Sequence, residues 1–417
     1  MSGVAAAPAV RVVGPKDLHS LTRRLWLSDD PAWPVTVTTE RLPETHRVAE
    51  AYVIAPNLQR PRFLLPVHSR RAVAAAFTRH LSTQSPRSRA LGATAGAAWW
   101  TGLGEQALRG RLTVGIDRRI PREEWGEWLL MSHLADALGT TDLVGIIPVR
   151  RDMPNAKPTV RLLDGAGEAR GYAKIGWSPG TRELVRNETR VLTALNGGTE
   201  GLSAPRVLSA ARWHDHEYHV ASPLPPNIGS WREAPEKSVR QLSEVFGSGD
   251  RSVGRLTDST YLRDLRSRLA GAQSEEPETS AVILACLERI SLRPAVLQFG
   301  RWHGDWVPWN LGRAGQRKLA WDWEYSAPSV PLGFDVLHWH FQQRLANPDG
   351  TLERAVSALE AAGPGLASLG VPDELHELTA SLYLVEILTR AAQLAARGCG
   401  WNPRLYPDLL QVAAQRS

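Results

Sequence analysis

The 417-residue chain is poor in cysteine and lysine and has no long hydrophobic run. Its two cysteines, Cys286 and Cys399, lack the spacing of a metal site; one disulfide is allowed, but two separate thiols in a reducing compartment are the simpler interpretation. No apolar run approaches the roughly 20 residues that span a bilayer. Residues 1–13 carry neither the basic lead nor the apolar stretch of a signal peptide. We therefore expect a soluble cytoplasmic protein with no membrane partner.

The net charge of +6 lacks the clustering that is typical of nucleic-acid-binding proteins. Basic residues are scattered among acidic ones, and uninterrupted basic runs such as Arg150–Arg151 are only pairs. We therefore do not expect nucleic acid as a partner. A steep salt dependence of binding would instead support the rival hypothesis of a basic nucleic-acid-binding protein. Lysine accounts for only five of the 49 basic residues, so a lysine inside an apolar strand is informative.

The hydrophobic patterns of residues 1–142 predict a mixed α/β cap in which the sequence shows no identifiable chemistry. The predicted elements are strands at 51–55, 62–67 and 112–116, helices at 70–81 and from Pro121 to about Gly139, and a loop in the Ser/Arg/Gly-rich stretch 82–94.

Residues 143–224 have a different pattern, which is rich in short strands. The predicted elements are strands at 143–149, 159–163, 171–175, 206–211 and 218–221, with one helix at 181–195. After a Pro-rich linker, residues 225–417 are mainly helical. This order indicates a small sheet lobe hinged to a larger helical lobe.

The residues around position 305 combine the side chains that phosphoryl transfer requires. A His-Gly-Asp tripeptide ends at Asp305, Asn310 follows five positions later, and an Asp-Trp-Glu tripeptide begins at Asp322 after a predicted strand pair. One carboxylate must meet the acceptor hydroxyl, while an amide oxygen and a second carboxylate must hold Mg²⁺ on the nucleotide phosphates. The short loop and the hairpin are expected to bring all three side chains to one cleft.

This pattern resembles that of the aminoglycoside-phosphotransferase and choline-kinase superfamily, which shares the protein-kinase fold. The resemblance implies that Asp305 orients or deprotonates the acceptor hydroxyl and that Asn310 and Asp322 bind Mg²⁺. The segment from Pro331 to Leu337 looks like the family's Pro…Asp-Leu-Ala segment, so Asp335 is expected to brace the catalytic loop.

The resemblance covers about residues 143–395 and implies an α+β, protein-kinase-like fold. The small β-rich N-lobe that binds the nucleotide would occupy residues 143–224. The larger helical C-lobe, with the catalytic loop and the acceptor site, would occupy residues 225–417, and the cap at residues 1–142 would precede both.

A lysine on a strand and a glutamate on the next helix are expected to bind and orient the nucleotide phosphates. Lys174 lies in the apolar strand pattern before the helix at 181–195. On that helix Glu188 falls on the same stripe as Leu184, Val191 and Leu195. An inward-facing carboxylate needs a partner, and we predict that Glu188 pairs with Lys174.

The remaining nucleotide contacts follow from the resemblance. The turn at 152–158 contains no glycine, but its Asn155 resembles the asparagine that often lies in the phosphate loop of the family. The segment that ends with Ser222 and Leu224 has the position of the interlobe hinge. Backbone groups there would bind the adenine edge of ATP.

Tryptophans are concentrated near the catalytic pattern. They are Trp302, Trp306, Trp309, Trp321, Trp323 and Trp339. Indoles stack well on sugars and organic cations, but most of these side chains are expected to fill the core. Trp306 and Trp309 either narrow the acceptor site or pack beneath the loop. His338 and His340 lie two positions apart on a predicted helix, so they do not share a face and do not indicate a metal site.

These features predict a Mg²⁺- and ATP-dependent kinase that phosphorylates a hydroxyl group of a small polar molecule. A sugar, an aminoglycoside or aminocyclitol, or an amino alcohol would suit the resemblance. The main alternative is a catalytically inactive pseudokinase that acts as a nucleotide-binding or scaffolding module. The presence of the whole set Lys174, Glu188, Asp305, Asn310 and Asp322 favours the active enzyme.

Overall fold

The computed structural model describes residues 12–67, 69–80, 86–347, 349–400 and 408–416. The described chain divides into two compact units. The first unit comprises the described parts of Met1–Trp177 and Val207–Ile228. The second comprises those of Ser178–Arg206 and Gly229–Ser417.

The first unit is built on a nine-stranded antiparallel sheet with the order β1-β4-β2-β3-β5-β6-β7-β9-β8. Its strands are β1 (Val35–Thr38), β2 (His46–Ala55), β3 (Phe63–Pro66), β4 (Arg111–Asp117), β5 (Val144–Pro148), β6 (Thr159–Leu163), β7 (Ala169–Gly176), β8 (Val207–Trp213) and β9 (His216–Ala221). β3 pairs with β5, so the expected boundary at residue 142 lies between two strands of one sheet. The division into a cap and a nucleotide lobe stays a prediction.

Both faces of this sheet are buried around β2, β3, β5 and β6, where successive strand residues point to opposite sides and both sets are apolar. Along β2, Tyr52 and Ile54 pack in one apolar cluster, while Val53 and Ala55 pack in the other. The first cluster includes apolar residues of α1 (Lys16–Trp26), and the second includes residues of α2 (Arg70–His80) and α3 (Pro86–Trp100). The other helices are α4 (Leu103–Ala107), α5 (Trp125–Trp128) and α6 (Leu130–Ala137).

Two predictions for this unit were wrong in detail. The stretch 82–94 was expected to be a loop, but α3 begins at Pro86. Proline suits the first position of a helix, and the alanines that follow are strong helix formers. Residues 82–85 lie outside the described residues. The helix expected from Pro121 is divided into short pieces, because the fully buried Leu129 adopts an extended backbone between α5 and α6.

The second unit is mainly helical. Its helices are α7 (Pro179–Leu195), α8 (Val239–Gly247), α9 (Thr260–Ala272), α10 (Pro277–Ser291), α11 (Phe334–Ala346), α12 (Leu352–Ser357), α13 (Gly363–Ser368), α14 (His376–Ala396) and α15 (Asp408–Arg416). Its strands are β10 (Gly229–Ser230), β11 (Ser252–Arg255), β12 (Val296–Trp302), β13 (Leu311–Ala314), β14 (Arg317–Ala320) and β15 (Ala327–Pro331). They form two three-stranded sheets, β10-β13-β14 and β11-β12-β15. The predicted α+β class is confirmed.

Helix α14 lies in the core of the second unit, since its residues 378–389 are all buried. A helix that is apolar on every side is typical of such a position. None of the described helices, α14 included, combines the length and the apolar character needed to cross a membrane. Cys286 and Cys399 are both buried and are not joined in a disulfide.

One ionic pair is enclosed in this core. Arg268 of α9 donates two hydrogen bonds, of 2.8 and 2.5 Å, to the carboxylate of Glu386 on α14. Only 3% of the Glu386 side chain is exposed. A buried carboxylate is tolerated only when it is paired, so α9 and α14 are tied together at this point.

Arg268→Ala should strongly destabilise the second unit, because the buried Glu386 carboxylate would lose its cation. We expect the free energy of unfolding to fall by about 3–5 kcal/mol in urea titrations followed by tryptophan fluorescence. Arg266→Ala is the matched control on the same helix. Arg266 contacts Glu288 with the same two-bonded geometry, at 2.9 and 2.7 Å, but both side chains are exposed. We expect the control to lose less than about 1 kcal/mol, and equal losses would contradict the role of burial.

A carboxyl group in the first unit has a shifted pKa. Glu50 lies at an irregularity in the pairing of β2 with β4, and its Oε2 accepts hydrogen bonds from the Tyr52 hydroxyl at 2.6 Å and the Trp26 indole at 3.2 Å. The residue is half-buried as a whole, but its Oε1 is enclosed and accepts no hydrogen bond. Burial raises the pKa of Glu50 to about 7, although the two donors oppose the shift.

Glu50→Gln should remove a pH dependence of stability. With a pKa of about 7 when folded and 4.5 when unfolded, Glu50 holds a proton in the folded state that the unfolded state has already lost. The free energy of unfolding should therefore fall by about 3 kcal/mol as the pH rises from 4.5 to about 7. Urea titrations across this range should show a smaller decrease for the variant. Parallel curves for the two proteins would contradict the prediction.

Candidate active site

The predicted catalytic residues lie on one segment between β12 and β15. Asp305 is in the loop after β12, Asn310 ends a short helical turn, and the β13–β14 hairpin follows. The backbone N–H of Trp321 donates to the Asn310 carbonyl at 3.1 Å, which closes the base of the hairpin. Asp322 is the next residue, so the hairpin returns it to the side of Asn310.

The backbone of the loop is held from both sides. Asp335 on α11 accepts hydrogen bonds from the N–H groups of His303 at 2.7 Å and Gly304 at 3.0 Å. Arg390 on α14 donates to the Gly304 carbonyl at 3.0 Å. Gly304 has a φ of 83°, and an added Cβ would collide with the carbonyl of Tyr325, so only glycine fits here. The Asp335 side chain therefore braces the loop by binding the loop's backbone N–H groups.

The carboxylate of Asp305 is fixed but accessible. The Asn310 side-chain amide donates to its Oδ2 at 2.7 Å and also to the Asp305 carbonyl at 3.1 Å. His338 of α11 contacts its Oδ1 through Nε2 at 3.0 Å. About a quarter of the Asp305 side chain is exposed (24%), against 2% of His338. A carboxylate in this position can meet a hydroxyl group that arrives from solvent.

Burial determines the charge state of the imidazoles beside this carboxylate. It lowers the pKa of His303 to about 4, and it also lowers the pKa of His338. Both imidazoles are therefore neutral at neutral pH. Burial raises the pKa of Asp335 to about 7, although the two backbone N–H donors favour its ionised form.

The segment that follows Asp305 supplies oxygen donors suited to a hard cation. The Asn310 amide contacts two acceptors of Asp305, so its N–H₂ faces them and its oxygen is at the other end. Asp322 has a φ of 70°, which is uncommon outside glycine and is frequent at functional sites. Carboxylate oxygens of Glu188, Asp322 and Glu324 lie within 4.8 Å of one another. These donors fit Mg²⁺, which prefers oxygen ligands.

Helix α7 holds the segment that carries Asp322. Glu188 is buried, as its position on the apolar stripe predicts, and its Oε1 accepts the Trp323 N–H at 3.3 Å. The neighbouring Asn187 donates to the carbonyls of Glu324 and Ser326, both at 2.9 Å. Capping at the first turn of α7, by Ser178, stabilises the helix that supplies both side chains.

The predicted nucleotide-binding residues of the first unit lie on its sheet or on segments that connect to its strands. Lys174 is half-buried on β7, between Thr159 of β6 and His219 of β9. Ser222 and Leu224 follow β9 and are half-buried. The pairing of Lys174 with Glu188 of the second unit stays a prediction, as do the nucleotide contacts of these residues.

The loop that contains Asn155, between β5 and β6, is anchored at its start and its end. Asp152 contacts Arg24 at 2.7 Å and Lys16 at 3.3 Å, both on α1. The Trp177 indole donates to the Ala156 carbonyl at 2.9 Å. These contacts anchor the loop without glycine, and the phosphate contact of Asn155 stays a prediction.

The two tryptophans of the catalytic loop differ. Trp306 is fully buried and packs edge-to-face on Trp231 with ring centroids 5.5 Å apart. Trp309 is 52% exposed. Trp302, Trp323 and Trp339 are buried, and Trp321 is half-buried. Most of the cluster fills the core, and only Trp309 presents a large apolar surface beside Asn310.

Sequence reasoning did not assign three residues that hold the site: His338, Tyr383 and Arg390. His338 lies three positions after Asp335, on the same face of α11, and this spacing was the available signal. Tyr383 and Arg390 lie two turns apart on one face of α14. Their link to the loop depends on tertiary packing, which their spacing does not reveal.

Comparison with known proteins gives remote likenesses. No family model and no curated protein matches the chain. An ADP-bound aminoglycoside phosphotransferase is 10% identical, with a TM-score of 0.38, over 72% of this chain and 98% of its own. A second aminoglycoside phosphotransferase, bound to ADP and hygromycin B, is 12% identical with a TM-score of 0.40, over 69% of this chain and 98% of its own. An amicoumacin kinase with AMP-PNP, Ca²⁺ and Ami is 11% identical with a TM-score of 0.41, over 71% and 94%.

These solved structures are small-molecule kinases, the class that the motif around Asp305 resembles.

Asp322→Ala should weaken the Mg²⁺-dependent part of ATP binding by at least about tenfold, because a carboxylate is removed from the cation site. Calorimetric titration of ATP with and without Mg²⁺ measures this part. Glu324→Gln distinguishes two possible sets of Mg²⁺ ligands, one formed by Asn310 and Asp322 and the other by Glu188, Asp322 and Glu324. The Mg²⁺ effect should persist if Asn310 is the second ligand and should decrease if the three carboxylates bind the cation. An unchanged Mg²⁺ effect in Asp322→Ala would contradict both.

Proposed function

We propose that the protein is a Mg²⁺- and ATP-dependent phosphotransferase whose acceptor is a hydroxyl group of a small polar molecule. The observation that carries the proposal is the Asp305 carboxylate, which two side chains orient while a quarter of it stays exposed. The oxygen donors of Asn310 and Asp322 follow on the same segment. A fixed carboxylate beside hard-cation ligands is what phosphoryl transfer to an alcohol requires.

Asp305 has the central role in the proposed reaction. Its carboxylate accepts a hydrogen bond from the acceptor hydroxyl, which aims the hydroxyl oxygen at the γ-phosphate. It takes up the hydroxyl proton as the new O–P bond forms and the bond to the leaving ADP breaks. Since this transfer needs little covalent chemistry from the protein, its rate depends mainly on alignment.

The nucleotide and the cation would be held by the other predicted residues. Asn310 and Asp322 would bind Mg²⁺, which neutralises charge on the phosphate oxygens. Lys174, oriented by Glu188, would contact the phosphates, and Asn155 would lie in the phosphate loop. The backbone of Ser222 and Leu224 would bind adenine. This use of ATP and Mg²⁺ fits a cytoplasmic location, which also stays a prediction.

The exposed Trp309 supports a ring-shaped or cationic acceptor. It lies four positions after Asp305, and its indole face is available for stacking on a sugar ring or for contact with an ammonium group. A sugar, an aminoglycoside or aminocyclitol, and an amino alcohol each provide such a group together with a hydroxyl. We therefore propose this acceptor class.

Asp305→Asn should lower the turnover number by about 10²- to 10⁴-fold while ATP binding is nearly unchanged, because the amide cannot take up the hydroxyl proton. Transfer from γ-labelled ATP to glucosamine, hygromycin B and choline measures the turnover, and calorimetry measures ATP binding. Asp373→Asn is the control, since the side chain of Asp373 is 91% exposed. It should behave as the wild type.

Two outcomes would contradict the proposed role of Asp305. Near-full turnover of Asp305→Asn at saturating acceptor would show that another group activates the hydroxyl. Tight ATP binding without transfer to any of these acceptors or to water would favour the pseudokinase alternative.

A further inference from the structure

Three buried or half-buried side chains form a continuous hydrogen-bonded chain that ends at the Asp305 carboxylate. The Tyr383 hydroxyl lies 3.0 Å from Nδ1 of His338, and Nε2 of His338 lies 3.0 Å from Oδ1 of Asp305. Tyr383 is fully buried and His338 is 1% exposed. The chain therefore runs from the core of the second unit, on α14, through α11 to the one accessible member.

The acceptor character of an ionised carboxylate determines the direction of both bonds. Because Asp305 can only accept, Nε2 of His338 must carry the hydrogen. A neutral imidazole has one N–H, so Nδ1 accepts, and the hydroxyl of Tyr383 donates to it. Burial lowers the pKa of His338 against the opposing effect of the Asp305 carboxylate, and the positive charge of Arg390 acts in the same direction as burial, which favours the neutral ring.

This arrangement prevents His338 from acting as the base. Both of its nitrogens are engaged, and its side chain is almost completely enclosed, so an acceptor hydroxyl has no access to it. Asp305 is the exposed end of the chain. A histidine with a carboxylate on one nitrogen and access to solvent on the other would instead be typical of a general base.

We infer that His338 is a positioning residue for Asp305, held in one tautomer by the Asp305 carboxylate, with the Tyr383 hydroxyl bound to its other nitrogen. The inference rests on the proposed phosphotransfer function and deepens it. His338 holds Oδ1 while Asn310 holds Oδ2, so the two donors fix the plane of the carboxylate from opposite sides.

The neutrality of both donors has a chemical consequence. A cation at the same place would stabilise the ionised carboxylate and oppose its uptake of the hydroxyl proton. A neutral N–H donor also orients the carboxylate, but it opposes the uptake of the proton less than a cation does. The expected benefit is in alignment, which reduces the activation barrier without changing the affinity for ATP.

His338→Leu removes the donor and keeps the approximate volume of the side chain. We expect kcat for transfer to glucosamine, hygromycin B or choline to fall by about 10- to 100-fold, with KM for ATP unchanged. His338→Gln retains an N–H donor toward Asp305 and should recover most of this loss. His340→Leu is the matched control: His340 lies on the same helix, is half-buried and makes no hydrogen bond through Nε2, so kcat should stay at the wild-type value.

The contribution of Tyr383 is tested in the same assay. Tyr383→Phe should lower kcat less than His338→Leu does, because the carboxylate still favours the Nε2–H tautomer. The double variant should be little slower than His338→Leu alone, since Tyr383 acts through the histidine. Additive losses would overturn this dependence.

A readout that needs no acceptor separates this inference from the proposed function. Nitrogen NMR of the histidine-labelled full chain should show His338 protonated at Nε2 and not at Nδ1. The His338 signals are assigned as those that are missing from the spectrum of His338→Gln. A resonance for protonated Nδ1 would overturn the inference whatever the activity. Full kcat in His338→Leu, or no recovery in His338→Gln, would overturn it while leaving the phosphotransferase proposal intact. The expected tautomer without transfer to any acceptor would instead refute the proposed function.

Discussion

The loop from His303 to Asn310 has to keep one carboxylate in a fixed orientation and open to solvent at the same time. An exposed side chain has rotational freedom, and restricting it costs conformational entropy that surface contacts seldom offset. Here buried and half-buried side chains restrict the loop and its carboxylate. Asp335 and Arg390 fix the loop backbone, while Asn310 and His338 fix the side chain of Asp305. The exposed carboxylate is thus ordered by groups that are themselves buried or half-buried.

Helix α14 connects this site to the stability of the second unit. Tyr383, Glu386 and Arg390 follow one another at helical spacing along its length, and they contact His338, Arg268 and the loop backbone. The ion pair with Arg268 fixes α14 against α9, and α14 in turn places the two groups that reach the site. A shift of this helix would therefore change the orientation of Asp305 as well as the core, because a packed interior transmits displacement.

The sequence was sufficient for features that depend on local spacing. The interval from Asp305 to Asn310, the hairpin before Asp322 and the inward face of Glu188 all follow from residue order and helical period. The contact of Arg390 could not be predicted, because it lies 86 positions from its partner in the loop. The contact of His338, 33 positions from its partner, was indicated only by its spacing from Asp335. Likewise, the pairing of β3 with β5 is a tertiary contact across the expected boundary at residue 142. The first part of α3, residues 86–94, was misinterpreted because its serine, arginines and glycine suit both a loop and a helix.

The position of Arg390, a cationic group in contact with the loop, explains how the carboxylate stays reactive. Arg390 donates to the Gly304 carbonyl, and its guanidinium lies 4.8 Å from the ring centre of Trp302 and 4.3 Å from that of Tyr325. Its hydrogen bond therefore goes to the backbone and not to Asp305. The hydrogen bonds that the carboxylate itself receives from other side chains come from an amide and a neutral imidazole. A hydrogen bond with one ionised partner is about twice as strong as a neutral one, so Arg390 fixes the loop backbone firmly. Because neither of these two donors to the carboxylate is a cation, Asp305 remains able to accept a proton.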